Sequence, residues 1–188
     1  NDNLGTNSVV AQLLAGKVPV MSASDLYLNE HREYGLSTYS LHSDGSGVCY
    51  SSRLRPILNM RPKYRHWLSP SLWQLNGDLH LTDWLEEKGL DFDVLTDEDL
   101  HIEGVDLLNR YQCVLTGSHP EYSSEKMIAA YEAYQLQGGR WIYLGADGFY
   151  WISEYHPDNH NIIEVRKGEA GTRAWTANPG EYNNAFDG

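Results

Sequence analysis

The feature that constrains the fold most is an alternation of β-rich runs with helical segments in the second half of the chain. The β-rich runs, which contain Val, Ile, Leu and aromatic residues, lie at 92–96, 111–116, 140–145 and 161–166. Between them, apolar residues recur every three or four positions, as on one face of a helix. Strands that alternate with such helices form βαβ units. The order therefore predicts an α/β fold, with a mostly parallel sheet and helices on both of its faces.

The two longer helices carry recognisable start and stop signals. The first has Leu81, Trp84 and Leu85 on one face and ends before Gly89. The second can be capped by Ser123 or Ser124, and it ends at the Gly138-Gly139 pair. Its apolar face consists of Met127, Ile128, Tyr131 and Tyr134. The stretches 97–100 and 105–108 predict short helical turns.

The first part of the chain is less regular. An apolar run at 17–24 predicts a strand near 18–23, whereas the Gly and Pro residues of 25–70 predict a long irregular loop region. The chain starts at Asn1 without Met and ends in a polar run. We therefore expect residues 1–188 to be a single α/β domain that is a fragment of a longer chain.

Charge and cysteine content narrow the classes of function. The 188 residues contain 14 Lys and Arg against 26 Asp and Glu, a formal net charge of −12. Such an acidic surface argues against nucleic acid as a partner, because binding phosphates needs basic clusters. No apolar run reaches the roughly 18 residues of a membrane helix, so we expect no membrane partner. Cys49 and Cys113 are too few for a disulfide framework and indicate a reduced, cytoplasmic protein.

In parallel sheets, ligands bind beyond the carboxyl ends of the strands. Three strand-end segments, 22–27, 117–122 and 145–151, are therefore expected on one rim. The second reads Gly-Ser-His-Pro-Glu-Tyr, in which His119 can carry a proton and Glu121 can bind a metal. The alternative is a structural loop in which Glu121 stabilises a helix N-terminus.

Two further strings contain polar groups that chemistry could use. Residues 145–148 read Gly-Ala-Asp-Gly, at the place where glutamine-amidotransferase-like proteins present a catalytic cysteine. Neither cysteine lies there, which disfavours a cysteine hydrolase, and Asp147 stays as the polar candidate. The string 38–47 places Tyr39, His42 and Asp44 close together, either as a metal site or as a turn-rich loop.

Several strings together resemble the large subunit of N,N-dimethylformamidase. They are YGLSTYSLHSDGSG at 34–47, RPILNMRP at 55–62, DWLEEKG at 83–89, LTDEDL at 95–100, GSHPEY at 117–122 and GEAGTR at 168–173. The resemblance spans roughly residues 17–182. It implies a glutamine-amidotransferase-like (flavodoxin-like) α/β domain within a longer subunit that also carries a lectin-like β domain. It also implies a hetero-oligomer with a small helical partner subunit and more than one large subunit.

The resemblance implies a specific chemistry as well. The family hydrolyses N,N-dimethylformamide to dimethylamine and formate at a mononuclear iron held by two tyrosines and a glutamate. The matching residues here are Tyr39 and Glu121, with Tyr27 as the candidate for the other tyrosine and His119 beside the metal. Asp147 stands where the family has Asn. Phenolates and a carboxylate are hard oxygen donors that suit Fe³⁺, which can polarise an amide carbonyl and activate water.

Two other classes of function stay open on the sequence. The chain can be a non-catalytic α/β interaction domain, or a fragment of a larger hydrolase that does not hold metal by itself. It can also belong to a hydrolase of another small amide. Metal content distinguishes the enzyme from the interaction domain, and a substrate screen distinguishes the amides.

Overall fold

The computed structural model describes residues 48–57, 60–64 and 75–165, together with the separate positions 23, 27, 30–34, 38 and 72. The predicted strand near 18–23 and much of the predicted loop region 25–70 lie outside these residues. A mostly parallel, glutamine-amidotransferase-like sheet with helices on both faces thus stays a prediction for the chain as a whole.

Four α-helices lie in the continuous part, and they agree with the periodicity of the sequence. They are α1 (Leu75–Glu87), α2 (Asp97–Glu103), α3 (Val105–Leu108) and α4 (Glu125–Leu136). Thr96 caps α2 and Ser124 caps α4, because each side chain accepts the backbone N–H three residues on. Among the described helices, none combines the length and the apolar character that crossing a membrane requires.

The described strands form three small sheets. Strands β2 (Cys113–Leu115) and β4 (Arg140–Ile142) pair in parallel, with Val114 opposite Trp141. Strands β3 (Tyr122–Ser123) and β5 (Trp151–Ile152) also pair in parallel. The third sheet is antiparallel, in the order β1 (Tyr50–Ser52), β7 (Asn159–Glu164), β6 (Glu154–His156). Because β2 and β4 run parallel, the loops that follow them lie at the same edge of the sheet, as the predicted rim requires.

Two strand predictions need correction. Residues 92–96 are not a strand, although the run Phe-Asp-Val-Leu-Thr is rich in β-formers. Val94 is 73 % exposed, and the aspartates around it favour water over a buried ladder. The segment near 161–166 does contain a strand, β7, but both of its neighbours run antiparallel to it.

A compact apolar cluster holds β2 against the helices. Its buried members are Leu100, Leu107, Leu108, Met127, Ala130 and Tyr134. Val114 of β2 and Tyr131 of α4 pack against this cluster. Because β2 and α4 share these contacts, the segment that joins them, residues 116–124, is held at both of its ends.

Candidate active site at the strand-end loops

The loops that follow β2 and β4 lie side by side and are joined by backbone hydrogen bonds. The N–H of Ala146 donates to the Ser118 carbonyl at 3.0 Å, and the N–H of Phe149 donates to the Pro120 carbonyl at 2.8 Å. The Glu121 carbonyl accepts from both Tyr150 and Trp151. The structure thus brings together two of the three predicted rim segments, here called the 117–122 loop and the 145–151 loop.

Glycine at position 145 permits this close approach. A methyl group added to Gly145 would lie 2.4 Å from Cδ of Pro120 and 3.1 Å from the carbonyl oxygens of Gly117 and Ser118. Contacts this short are repulsive, so any larger residue would push the two loops apart. The absence of a side chain at Gly145 therefore sets how closely the loops approach.

Glu121 is a buried carboxylate residue in the middle of this arrangement. It is only 6 % exposed, and its own N–H donates to the His119 carbonyl at 2.8 Å. The N-cap of α4 is Ser124, three positions after Glu121. Burial keeps the Glu121 carboxyl away from bulk water, and its place between the two loops puts it within the candidate site.

His119 and Asp147 occupy the same pair of loops with different exposure. His119 is half-buried, two residues before Glu121. Asp147 is exposed and has a φ of 51°, a left-handed conformation that Asp and Asn adopt more readily than most residues. The turn conformation alone thus favours Asp or Asn at position 147, whatever the residue does chemically.

Of the two predicted tyrosine ligands, the structure describes only Tyr27. Tyr39 lies outside the described residues, as do His42 and Asp44. Tyr27 is helical and 46 % exposed, and its hydroxyl lies 3.2 Å from that of Tyr34. This hydrogen bond raises the pKa of the Tyr27 phenol, which opposes phenolate formation while Tyr34 is its partner.

A cavity of about 380 Å³ connects the neighbours of two predicted ligands. Thr38, which precedes Tyr39, is buried and lines the same cavity as Tyr122, which follows Glu121. The cavity thus has one lining residue from each of these two strings, Thr38 and Tyr122, whereas Glu121 itself is not among the lining residues.

Charged groups occupy another wall of the cavity. Arg53 forms an ion pair with Glu98, and its Nε donates to Oδ1 of Asn161 at 2.6 Å. Asp97 keeps an accessible surface, but crowding by neighbouring protein atoms partly desolvates its carboxyl and raises its pKa, and Asp78 raises this pKa further. Burial also raises the pKa of Tyr155, with Asp97 as the next cause, so this phenol stays protonated.

His101 is a buried polar residue that no local pattern in the sequence singles out. Its Nδ1 lies 2.8 Å from Oγ of the fully buried Ser124, and its Nε2 lies 3.9 Å from Glu154. A Ser–His–Glu row of this kind resembles a nucleophile with its base. Ser124, however, is inaccessible to substrate and accepts the Met127 N–H as a helix cap. The arrangement of Ser124, His101 and Glu154 is therefore structural. In the sequence, only the helix-capping signal at Ser124 indicated it.

The donor set decides which metal the site could take. Among the described residues, no three His, Cys, Asp or Glu side chains converge as metal ligands would. A centre of two phenols and one carboxylate is of a different kind, and the buried Glu121 fits it as the carboxylate. The place of Cys113 within a β-rich run predicts burial, but this residue is only partly buried in β2. Cys49 is buried, and the two cysteines form no disulfide.

Comparisons with known proteins agree with the strings in the loops. A family model described as N,N-dimethylformamidase beta subunit-like, C-terminal, matches residues 16–188. The N,N-dimethylformamidase beta subunit of Paracoccus aminophilus is 49 % identical over 189 residues, and that of an Alcaligenes species is 47 % identical over the same length. Each alignment covers 100 % of this chain but 24 % of the relative, so the chain spans about a quarter of their length. The chain belongs to the family of the C-terminal part of N,N-dimethylformamidase beta subunits.

Proposed function

We propose that the chain is the catalytic α/β part of a large subunit, the beta subunit, of an amide hydrolase. The reaction is the hydrolysis of N,N-dimethylformamide to dimethylamine and formate, at a mononuclear Fe³⁺. The observation that carries the proposal is the buried carboxylate residue Glu121, held between two interlocked strand-end loops in a chain of this family.

Tyr39, Glu121 and Tyr27 would hold the metal. Thr38, next to Tyr39, and Tyr122, next to Glu121, line one cavity, so the chain positions of the first two are compatible with a common site. Tyr27 would have to exchange its hydrogen bond with Tyr34 for the metal. When bound, the ion would supply Lewis acidity toward an amide carbonyl and a water of lowered pKa.

The remaining steps fall to side chains of this chain. His119, half-buried beside Glu121, would take a proton from the attacking water and return one to the departing amine. Asp147, on the adjacent loop, would orient the substrate. The substrate is small and neutral, so the acidic surface does not repel it.

We also propose a cytoplasmic hetero-oligomer with a small helical partner subunit and more than one large subunit. The relatives' designation as beta subunits supports an assembly of unlike chains. Cys49 and Cys113 form no disulfide, which is compatible with a reducing compartment.

The test of the tyrosine ligand is Tyr39→Phe in the full-length subunit with its partner. The ring is retained but the ligand oxygen is lost, so visible phenolate-to-iron absorption should fall and dimethylamine release should drop at least about a hundredfold. Tyr50→Phe is the matched control, because Tyr50 is an exposed phenol on β1. Unchanged colour and rate in Tyr39→Phe would rule out the assignment.

The test of the carboxylate is Glu121→Gln, with the exposed Glu125→Gln as its control. A neutral amide is a poorer ligand for a hard cation, so bound iron per subunit should fall only in the first variant. Wild-type protein that purifies without iron and regains no activity with Fe³⁺ would favour the interaction-domain alternative. Faster turnover of another small amide would redirect the substrate assignment.

A further inference from the structure

Asp78, in the first turn of α1, reaches across to the start of the 117–122 loop. Its Oδ1 accepts the backbone N–H of Ser118 at 2.6 Å, in a partly buried position. A backbone N–H that donates to a carboxylate makes a shorter and stronger bond than one that donates to a neutral acceptor. The chain leaving β2 is therefore attached to α1 just before His119.

The carboxylate also occupies the space that a side chain at position 117 would need. A methyl group placed on Gly117 would lie 3.0 Å from Oδ1, 3.2 Å from Cγ and 3.3 Å from Oδ2 of Asp78. Gly77, next to Asp78, faces the same loop, since its own added methyl would lie 3.4 Å from Oγ of Ser118. Asp78 and Gly117 thus fit each other as a pair.

The first turn of α1 is itself anchored, so Asp78 is not on a freely moving end. The buried Asn76 accepts the Lys63 N–H at 2.6 Å. Its Nδ2 donates to the carbonyls of Arg61 and Tyr64, each at 3.2 Å. Asn76 therefore holds the start of α1 against residues 61–64. Asp78, two residues later, connects this fixed end of the helix to the 117–122 loop.

We propose that Asp78 is a positioning residue, which fixes the exit of β2 so that His119 and Glu121 meet the substrate in a reactive geometry. This inference rests on the proposed function of those two residues. The simpler alternative is that Asp78 only stabilises the N-terminus of α1 through the helix dipole. The variant Asp78→Asn distinguishes the two roles. Asn keeps an oxygen acceptor for the Ser118 N–H, but it removes the negative charge that the helix dipole favours.

The first experiment compares Asp78→Ala, Asp78→Asn and the exposed control Asp83→Ala on the same helix, in the full-length subunit with its partner. Hydrogen exchange by mass spectrometry reports the Ser118 amide, and dimethylamine release gives kcat. In Asp78→Ala we expect exchange in the peptide around Ser118 to accelerate about tenfold or more, and kcat to fall about a hundredfold. Asp78→Asn should stay within about tenfold of wild type on both measures, and Asp83→Ala should match wild type.

The second experiment is a double-mutant cycle with Gly117→Ala. In the wild-type background the new methyl meets the Asp78 carboxylate and should lower kcat, whereas in the Asp78→Ala background it should have little further effect. Equal effects in both backgrounds would overturn the pairing of Asp78 with Gly117. Where Asp78→Ala folds poorly, Gly117→Ala alone tests the contact, because its methyl should displace the Asp78 carboxylate, speed exchange around Ser118 and lower kcat. Wild-type exchange and kcat in Gly117→Ala would then overturn the pairing.

The outcomes separate this inference from the proposed function. Unchanged Ser118 exchange in Asp78→Ala would overturn the attachment, and faster exchange with unchanged kcat would overturn the positioning role. If wild type hydrolyses no formamide at all, the proposed function fails, and hydrogen exchange still decides whether Asp78 holds the loop.

Discussion

At the scale of single residues, two glycines that face the 117–122 loop predict opposite effects of the same added methyl group. Gly145→Ala should destabilise the protein by about 1–3 kcal/mol, because its methyl would overlap Pro120. Gly77→Ala should stabilise it by at most about 0.5–1 kcal/mol, since Gly77 lies in the first turn of α1 and its methyl would make an ordinary contact with Ser118. The midpoints of thermal unfolding of the two variants should therefore move in opposite directions. A lower midpoint in both would mean that the loop cannot accept even an ordinary contact.

Residues of the site differ in how far the sequence could indicate them. The strand-end position of His119 and Glu121 could be predicted because both follow a β-rich run within a few positions, and a strand end is a local signal. Asp78 could not, because its contact with Ser118 joins positions 40 residues apart and depends on how α1 packs. His101 was missed for the same reason, since its partners Ser124 and Glu154 come from other elements.

At the scale of elements, the two helix caps offer a matched pair of tests. Thr96 is an exposed cap of α2, and replacing it by Ala should lower the free energy of unfolding by about 1 kcal/mol. Ser124 caps α4 but is fully buried and also bonds to His101. Ser124→Ala should therefore cost about 2–4 kcal/mol, because it also leaves a buried imidazole nitrogen without its hydroxyl partner. Equal losses in chemical denaturation would show that the bond to His101 adds no stability.

Helices were easier to predict than strands for a physical reason. The periodicity of α1 and α4 extends over 13 and 12 residues, and the capping serine and the final glycines delimit α4. The described strands are two to six residues long, so composition is almost their only signal. The run 92–96 has that composition but finds no partner strand among the described residues, and the direction of β7 depends on β1 and β6.

At the scale of the whole molecule, His101 connects the helices to the antiparallel sheet. It extends from α2, bonds to the cap of α4, and packs its ring against Tyr155 and His160 at centroid distances of 4.5 and 5.9 Å. The charged groups that act on it are Lys126, Glu154 and Glu98, with His160 as a further titratable neighbour. A change in its protonation therefore acts on several elements at once.

This connection predicts a loss of stability on acidification. Burial lowers the pKa of His101 below its ordinary value, Lys126 lowers it further, and Glu154 only partly opposes them. The unfolded chain then binds the proton more tightly than the folded one, so the stability from neutral His101 is complete above about pH 6.5 and is lost as the pH falls below it. The Gln side chain of His101→Gln cannot titrate. The excess free energy of unfolding of wild type over this variant should therefore shrink between about pH 7 and pH 5. His80→Gln, at an exposed position on α1, is the control for replacing a histidine by glutamine. A wild-type advantage over His101→Gln that grows on acidification would mean that folding raises the pKa of His101, and that Glu154 outweighs burial.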